Sequence, residues 1–252
     1  MRWNKSASGW RAVRLISGLA LTLSIAFLPP LLSGQSAPVA ATPQSQTSAN
    51  QTLPAQHALV IMIDAAHGGS ETGAVLNAAM PEKDVTLAIA RQLRQNLAAR
   101  GIYALLVRDN DATLSTDQRA EMVNAARPAL YIAIHATSQG SGMRIYTAML
   151  PAAGDDSGPF VDWQTAQASS LKRSRWVQDQ VVASIHKTGF PLRSLIAPLR
   201  PLNNVTVPAL AVEIAPTTGN VSQLASVDYQ QMVTAALANG IAAIRGKLES
   251  AP

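Results

Sequence analysis

The sequence predicts an α/β protein, a single domain with a mostly parallel, twisted sheet of about six strands and helices on both faces. Short, continuous apolar runs are typical of strands that are covered on both faces. Segments with an apolar residue at every fourth position alternate with these runs, as expected for helices that bury one stripe. The composition agrees, because a chain with 48% apolar and 14% charged residues is too apolar and too weakly charged to be disordered.

The individual elements are predicted from local signals. Residues 83–100 carry an apolar side chain at every fourth position, and Gly101 ends this first helix. Ser115 and Gln118 have the spacing of a capping box, which predicts the start of a second helix that ends before Pro128. The other predicted elements are two later helices around residues 177–185 and 233–248, and strands at residues 58–64, 103–107, 129–134, 143–150 and 209–212.

Charge and cysteine content exclude several classes of protein. The net charge is +5, yet beyond the first 14 residues the chain carries 16 basic and 15 acidic side chains. We therefore expect no nucleic-acid partner. The chain has no cysteine, which excludes disulfides, thiolate metal sites and cysteine nucleophiles.

The amino-terminal part of the chain is predicted to precede the folded domain. Four basic side chains in the first 14 residues are followed by an uncharged apolar stretch at residues 15–28, a pattern typical of an export signal. We interpret residues 1–33 as a signal peptide or signal anchor, residues 34–56 as a disordered, uncharged linker and residues 57–252 as the folded domain. The protein is thus expected to be exported, and to contact a membrane only if the signal segment stays uncleaved.

Four ionisable side chains are predicted to meet at one edge of the sheet. His67 follows the first strand, His135 follows the third strand directly, and Glu213 follows the strand at residues 209–212. Glu82 stands at the start of the first helix, where the chain has returned to the same edge. Ligands of parallel α/β sheets bind beyond the carboxyl ends of the strands, so this edge is the candidate site.

Two imidazoles and one carboxylate are a known ligand set of catalytic zinc, which leaves a fourth position for water. Bound zinc lowers the pKa of that water to about 7 and can polarise a carbonyl oxygen. A carboxylate that does not bind the metal can take a proton from the water and pass it to a leaving amine. The four side chains therefore suit the hydrolysis of an amide.

Several motifs along the chain resemble one known family. The motifs are His67-Gly68-Gly69, Glu82-Lys83-Asp84, Arg108-Asp109, Arg119 with Asn124, Ile134-His135-Ala136 and the segment from Pro208 to Ile214. In this order they resemble the zinc-dependent N-acetylmuramoyl-L-alanine amidases of the amidase 3 type, cell-wall hydrolases, over residues 57–246. The resemblance implies a parallel-dominated sheet and a peptidoglycan substrate, cut between the lactyl group of N-acetylmuramic acid and L-alanine.

The resemblance also implies the role of each site residue. One Zn²⁺ would be held by His67, Glu82 and His135, and Glu213 would be the catalytic carboxylate of a catalytic domain that spans residues 57–252. Glu71 is the alternative carboxylate ligand, but the Glu-Lys-Asp match favours Glu82. An exported enzyme of this kind would act in the periplasm or outside the cell, at the cell wall.

Three short segments differ from the family pattern. They are Ala65-Ala66 in place of Pro-Gly, Thr137 in place of asparagine, and Ala215-Pro216 after the catalytic glutamate. The four ionisable groups are unaffected, so the differences bear on substrate contacts and turnover. Asp64 is interpreted either as a group that orients a ligand or as a cap of its own turn.

Two alternative functions and one form of regulation remain open from the sequence. The alternatives are a zinc peptidase that cuts within the stem peptide and a peptidoglycan-binding protein that has lost turnover. The polar segment at residues 154–170 is the candidate for a gate that a protein activator would open. Its modest length favours an ordinary surface loop.

Overall fold

A computed structural model describes residues 59–150 and 163–250. The predicted signal segment and linker lie outside the described residues, as does most of the candidate gate. Within the described ranges, no helix is long and apolar enough to cross a membrane. The elements are β1 (Val60–Ala65), β2 (Val75–Asn77), β3 (Met80–Pro81), α1 (Glu82–Ala98), β4 (Tyr103–Leu106), α2 (Thr116–Ala126), β5 (Leu130–Ala136), β6 (Gly142–Ala148), α3 (Leu171–His186), β7 (Leu192–Ala197), β8 (Ala209–Ala215), α4 (Val227–Ala243) and α5 (Arg245–Glu249), with short 3₁₀ helices at Trp163–Ser170, Leu202–Asn204 and Val221–Ala225.

Six strands form one sheet in the order β4-β1-β5-β8-β6-β7. The first four are parallel to one another, whereas β6 runs antiparallel to β8 and pairs in parallel with β7. The predicted α/β class and the mostly parallel six-stranded sheet are confirmed. Strand β7 was not located from the sequence, because four of its six residues are exposed and no continuous apolar run marks it.

Helices cover both faces of the sheet, as predicted. On one face, Ile63 of β1 and Ile132 of β5 pack with the buried stripe of α1 and with residues of α3 and α4. On the other face, Met62 and Tyr131 pack with α2 and the short helix Leu202–Asn204. Alternate residues of each central strand therefore enter different cores, which explains why these strands are apolar at almost every position.

The starts of α1 and α2 show two ways of satisfying the free N–H groups of a helix. Ser115 and Gln118 form the predicted capping box at α2. Helix α1 has no side-chain cap after Pro81. Instead, the backbone N–H groups of Glu82 and Lys83 donate to carbonyls of the preceding loop, at 2.9 and 3.1 Å. This pairing places the Glu82 carboxylate at the positive end of the helix, where a negative charge is stabilised.

Candidate active site

The structure brings together the three side chains that the sequence nominates as metal ligands. His67 lies in the loop after β1, Glu82 begins α1, and His135 is near the end of β5. The distance from His67 Nε2 to Glu82 Oε2 is 3.1 Å, and His135 Nδ1 lies 3.1 Å from Glu82 Oε1. One ligand atom from each residue lies within 4.8 Å of the others. Their role as ligands stays a prediction.

The chemistry of this cluster fits a zinc ion. Two neutral imidazole nitrogens and one carboxylate oxygen are zinc ligands, with bond lengths of about 2.0–2.2 Å. Ligand atoms at that distance in a tetrahedral arrangement are about 3.3 Å apart. Each imidazole lies 3.1 Å from a different oxygen of Glu82, so a small movement of the carboxylate would complete the set. Glu82 is buried, whereas both histidines are partly exposed, so the cluster is open on the side that a water molecule or substrate would use.

The contacts of Glu82 make the cluster attractive to a positive charge. Burial opposes ionisation of Glu82, but hydrogen bonds from His135, His67 and the Ala74 N–H hold the pKa of this carboxyl well below its usual range. The hydrogen bond to Glu82 outweighs burial and raises the pKa of His67. The same carboxylate that attracts a proton to His67 would attract a divalent cation to the cluster.

Glu71, the alternative ligand, contacts the other nitrogen of His67. Its Oε1 lies 2.9 Å from His67 Nδ1, while Nε2 is the atom that faces Glu82. A proton on Nδ1 that is donated to Glu71 leaves the lone pair of Nε2 for a cation. Glu71 therefore orients His67, as carboxylates commonly do for zinc-bound histidines.

The loop of His67 has an unusual backbone. His67 has φ 64°, and Gly68 and Gly69 have φ 137° and 60°. Among the described residues other than glycine, only His67 and Arg127 have a positive φ. The turn therefore needs no left-handed residue at Ala65 or Ala66, which explains how two alanines can replace Pro-Gly without strain.

Two buried arginines hold this loop by its carbonyl groups. Arg108 Nε donates to the carbonyl of Ala65 at 2.8 Å, and Arg119 Nη2 donates to the carbonyl of His67 at 2.7 Å. Asp64 forms an ion pair with Arg119 and accepts a hydrogen bond from Tyr131 at 2.6 Å. Asp64 thus supports the loop indirectly, by holding Arg119. Its carboxylate neither contacts a proposed ligand nor caps its own turn.

Glu213 stands beside His135 on the neighbouring strand. The two residues are register partners in the β5–β8 pair, so their side chains point to the same face of the sheet. Glu213 Oε2 accepts from Arg144 Nε at 2.8 Å and from the Tyr146 hydroxyl at 2.9 Å. Burial and this contact raise the pKa of Tyr146, which keeps the hydroxyl protonated as a donor. Both donors hold one oxygen, which leaves Oε1 available for other chemistry.

The folded part of the chain matches one family of known proteins. A sequence model of the family described as N-acetylmuramoyl-L-alanine amidase, Amidase_3, matches residues 61–243. The chain belongs to this family. The resemblance seen in the sequence is confirmed, and so is the enzyme class, N-acetylmuramoyl-L-alanine amidase.

The match to this chain covers a different fraction of each relative's length. The germination-specific N-acetylmuramoyl-L-alanine amidase of Bacillus subtilis is 24% identical over 205 residues, 72% of this chain and 78% of that protein. The endolysin of Bacillus phage SPP1 is 29% identical over 158 residues, but the match spans only 53% of the endolysin. The solved catalytic domain of CwlV from Bacillus (Paenibacillus) polymyxa has the same fold, with a TM-score of 0.57 and 22% identity over 74% of this chain and 98% of that domain.

Sequence reasoning missed two side chains at the site of this amidase and the contacts of two others. Arg108 and Arg119 matched family segments, but the backbone carbonyls that they hold could not be inferred from spacing. Arg144 and Tyr146 were not singled out at all. The sequence feature that could have indicated them is the alternation of polar and apolar residues along β6. In the structure, positions 144 and 146 are the two residues of this strand that are only half buried.

Replacing Gly73 by alanine is expected to weaken zinc binding. Gly73 has φ 68°, and a Cβ atom there would lie 2.6 Å from His67 Cδ2 and 2.8 Å from Glu82 Oε2. These side chains would have to move, which would separate the two ligand atoms. Zinc affinity, measured by competition with a chelator, should fall at least tenfold.

Gly219→Ala is the matched control for this variant. Gly219 has φ 76°, and a Cβ atom there meets nothing within 4 Å. Both variants therefore share the strain of a left-handed alanine, about 1–2 kcal/mol, which thermal unfolding would report, but only Gly73→Ala should bind zinc more weakly. Equal zinc affinities of the two variants would contradict the prediction that His67 and Glu82, against which Gly73 packs, are zinc ligands.

Proposed function

We propose that this amidase hydrolyses the amide bond between the lactyl group of N-acetylmuramic acid and L-alanine in peptidoglycan, with one zinc ion held by His67, Glu82 and His135. The single observation that carries the proposal is the convergence of these three side chains, whose ligand atoms lie within 4.8 Å of one another. They come from three distant parts of the chain. Membership of the family supplies the substrate class.

Glu213 is proposed as the general base and acid. Neighbouring strands are about 4.8 Å apart, and Glu213 is the register partner of His135, so Glu213 lies one strand away from this proposed ligand. A zinc ion bound there would supply a Lewis acid that acidifies water to a pKa of about 7. Glu213 Oε1 then takes a proton from the attacking water and delivers it to the departing amine of L-alanine.

Arg144 and Tyr146 are proposed to fix the orientation of Glu213. Two donors on Oε2 leave the carboxylate little freedom to rotate, and a fixed base needs no reorganisation when the proton moves. Arg144 also donates to the carbonyl of Gln139 at 2.8 Å. The guanidinium therefore joins Glu213 to the loop that follows His135.

The amino-terminal segments are proposed to deliver this domain to its substrate. Residues 1–33 would act as a signal peptide or anchor, and residues 34–56 as a linker to the catalytic domain at residues 57–252. Basic residues before an apolar stretch support this proposal, and peptidoglycan lies outside the cytoplasmic membrane. The absence of a nucleic-acid partner stays a prediction.

A protein activator also stays a prediction for this chain. A solved structure with the same fold, the CwlD amidase of Clostridioides difficile, is in complex with the GerS lipoprotein. That structure has a TM-score of 0.52 and 20% identity over 75% of this chain. Activity of the purified protein with and without a candidate partner would test the need for one.

Product analysis tests the proposed function. The purified protein, loaded with zinc, is incubated with sacculi, and the soluble products are identified by mass spectrometry. The proposal expects free lactyl-muramic acid on the glycan and peptides that begin with L-alanine. Peptides cut within the stem would instead indicate a zinc peptidase, and binding to sacculi without any release would indicate a peptidoglycan-binding protein.

A further inference from the structure

Four polar side chains form a row across four neighbouring strands of the sheet. His135 of β5 is the register partner of Glu213 of β8. Glu213 is in turn opposite Arg144 of β6, and Arg144 is opposite Arg193 of β7. Directly opposite residues on adjacent strands share a face. The row therefore runs from the proposed catalytic residues to the edge strand of the sheet.

The described residues cover the face of β6 and β7 that carries this row only in part, since Tyr146 packs against the second core. Tyr146 and Leu195 are the next register pair on the same face. Arg144 and Tyr146 are half-buried, and Arg193 and Leu195 are exposed. On the opposite face, Ile145 is fully buried in the core that contains α3. We name the surface formed by Arg144, Tyr146, Arg193 and Leu195 the shelf.

Arg193 carries the positive charge at the outer strand of the shelf. Arg144 is committed to the Glu213 carboxylate and to the carbonyl of Gln139. Arg193, in contrast, makes no ion pair with any residue of the described ranges. An exposed guanidinium next to an exposed leucine suits a ligand that combines a carboxylate with apolar atoms.

The distance between Arg193 and Glu213 suits the peptide part of the substrate. Two strand spacings of about 4.8 Å separate Arg193 from Glu213. An extended peptide advances about 3.3–3.6 Å per residue. The carboxylate of the second stem residue would thus lie about 7 Å from the scissile amide, and the long arginine side chain can span the remaining gap.

We propose that the shelf binds the stem peptide, and that Arg193 binds the free carboxylate of the residue after L-alanine. The inference rests on the proposed amidase function, because it places the scissile bond beside Glu213. Charge complementarity and the continuity of the row with the catalytic residues favour this occupant. The sugar part of the substrate carries no such carboxylate once its lactyl group is in the amide bond.

Paired substrates test the role of Arg193. Two synthetic N-acetylmuramoyl tetrapeptides differ only in their second stem residue, D-glutamate or its amidated form, D-isoglutamine. Arg193→Gln is expected to raise KM for the D-glutamate substrate about five- to tenfold, the loss of one charge-assisted hydrogen bond, with kcat unchanged. KM for the amidated substrate should not change. Arg193→Lys, which keeps the charge, should restore part of the difference.

Arg175→Gln is the matched control, because Arg175 is an exposed arginine on α3, away from the shelf. It should leave both KM values unchanged. An equal rise of both KM values in Arg193→Gln, or no rise in either, would overturn the inference. If the zinc-loaded wild-type protein released no L-alanine amino termini from either compound or from sacculi, the proposed function itself would fail, which is a separate outcome.

Discussion

Replacing Glu213 by glutamine is expected to lower kcat about 10²- to 10⁴-fold while zinc content and binding to sacculi stay as in the wild type. General acid–base catalysis contributes about 10²- to 10⁴-fold, and an amide cannot accept the proton of the attacking water. The amide oxygen can still accept from Arg144 and Tyr146, which now hold Oε2 of the carboxylate. The side chain should therefore keep its position, and only its chemistry should change.

Dye release from labelled sacculi measures the activity, and atomic absorption measures the zinc. Glu121→Gln, at an exposed position of α2, controls for the loss of one negative charge and should leave both values unchanged. Wild-type activity in Glu213→Gln would show that another group is the base. A loss of zinc in this variant would show that Glu213 belongs to the ligand set.

Much of the site was predictable because of a topological rule. Buried parallel strands are recognisable as apolar runs, and the residues that follow them must meet at one edge of the sheet. His135 and Glu213 follow their runs directly and are register partners, although neither is near the other in sequence. The cluster of His67 and Glu82 follows from the same rule, since the chain is still at that edge when α1 begins at Glu82.

The remainder of the site depends on contacts that cannot be predicted from the spacing of residues along the sequence. Arg144 and Tyr146 meet Glu213 because β6 runs antiparallel to β8, and this direction cannot be read from the apolar run alone. Arg119 reaches the His67 carbonyl from a helix that lies 52 residues further along the chain. Strand β7 was missed because an edge strand buries little, so its sequence carries no clear periodicity. The functional surface proposed for Arg193 lies on this strand.

Replacing Glu82 by glutamine is expected to abolish zinc binding and to destabilise the fold. Each carboxylate oxygen of Glu82 accepts one backbone N–H, from Ala74 at 3.0 Å and from Ala136 at 3.1 Å. Glutamine has a single carbonyl oxygen, so its NH₂ group would face one of these two backbone N–H groups. Both groups are donors, so neither would have an acceptor. An unsatisfied buried polar group costs about 1–3 kcal/mol, which thermal unfolding in the presence of a chelator would report.

Zinc affinity distinguishes the role proposed for Glu82, metal ligand, from the role proposed for Glu71, orientation of His67. Loss of a group that only orients a ligand typically costs about 10- to 100-fold in metal affinity. This is the result expected for Glu71→Gln, because the Glu71 carboxylate contacts Nδ1 of His67, the nitrogen that does not face Glu82. Glu82→Gln should cost more than this, because it removes a charged ligand that lies between both histidines. Chelator competition on the two purified variants gives the comparison. If Glu71→Gln lost more affinity than Glu82→Gln, the two carboxylates would have to exchange roles, and Glu71 would be the metal ligand.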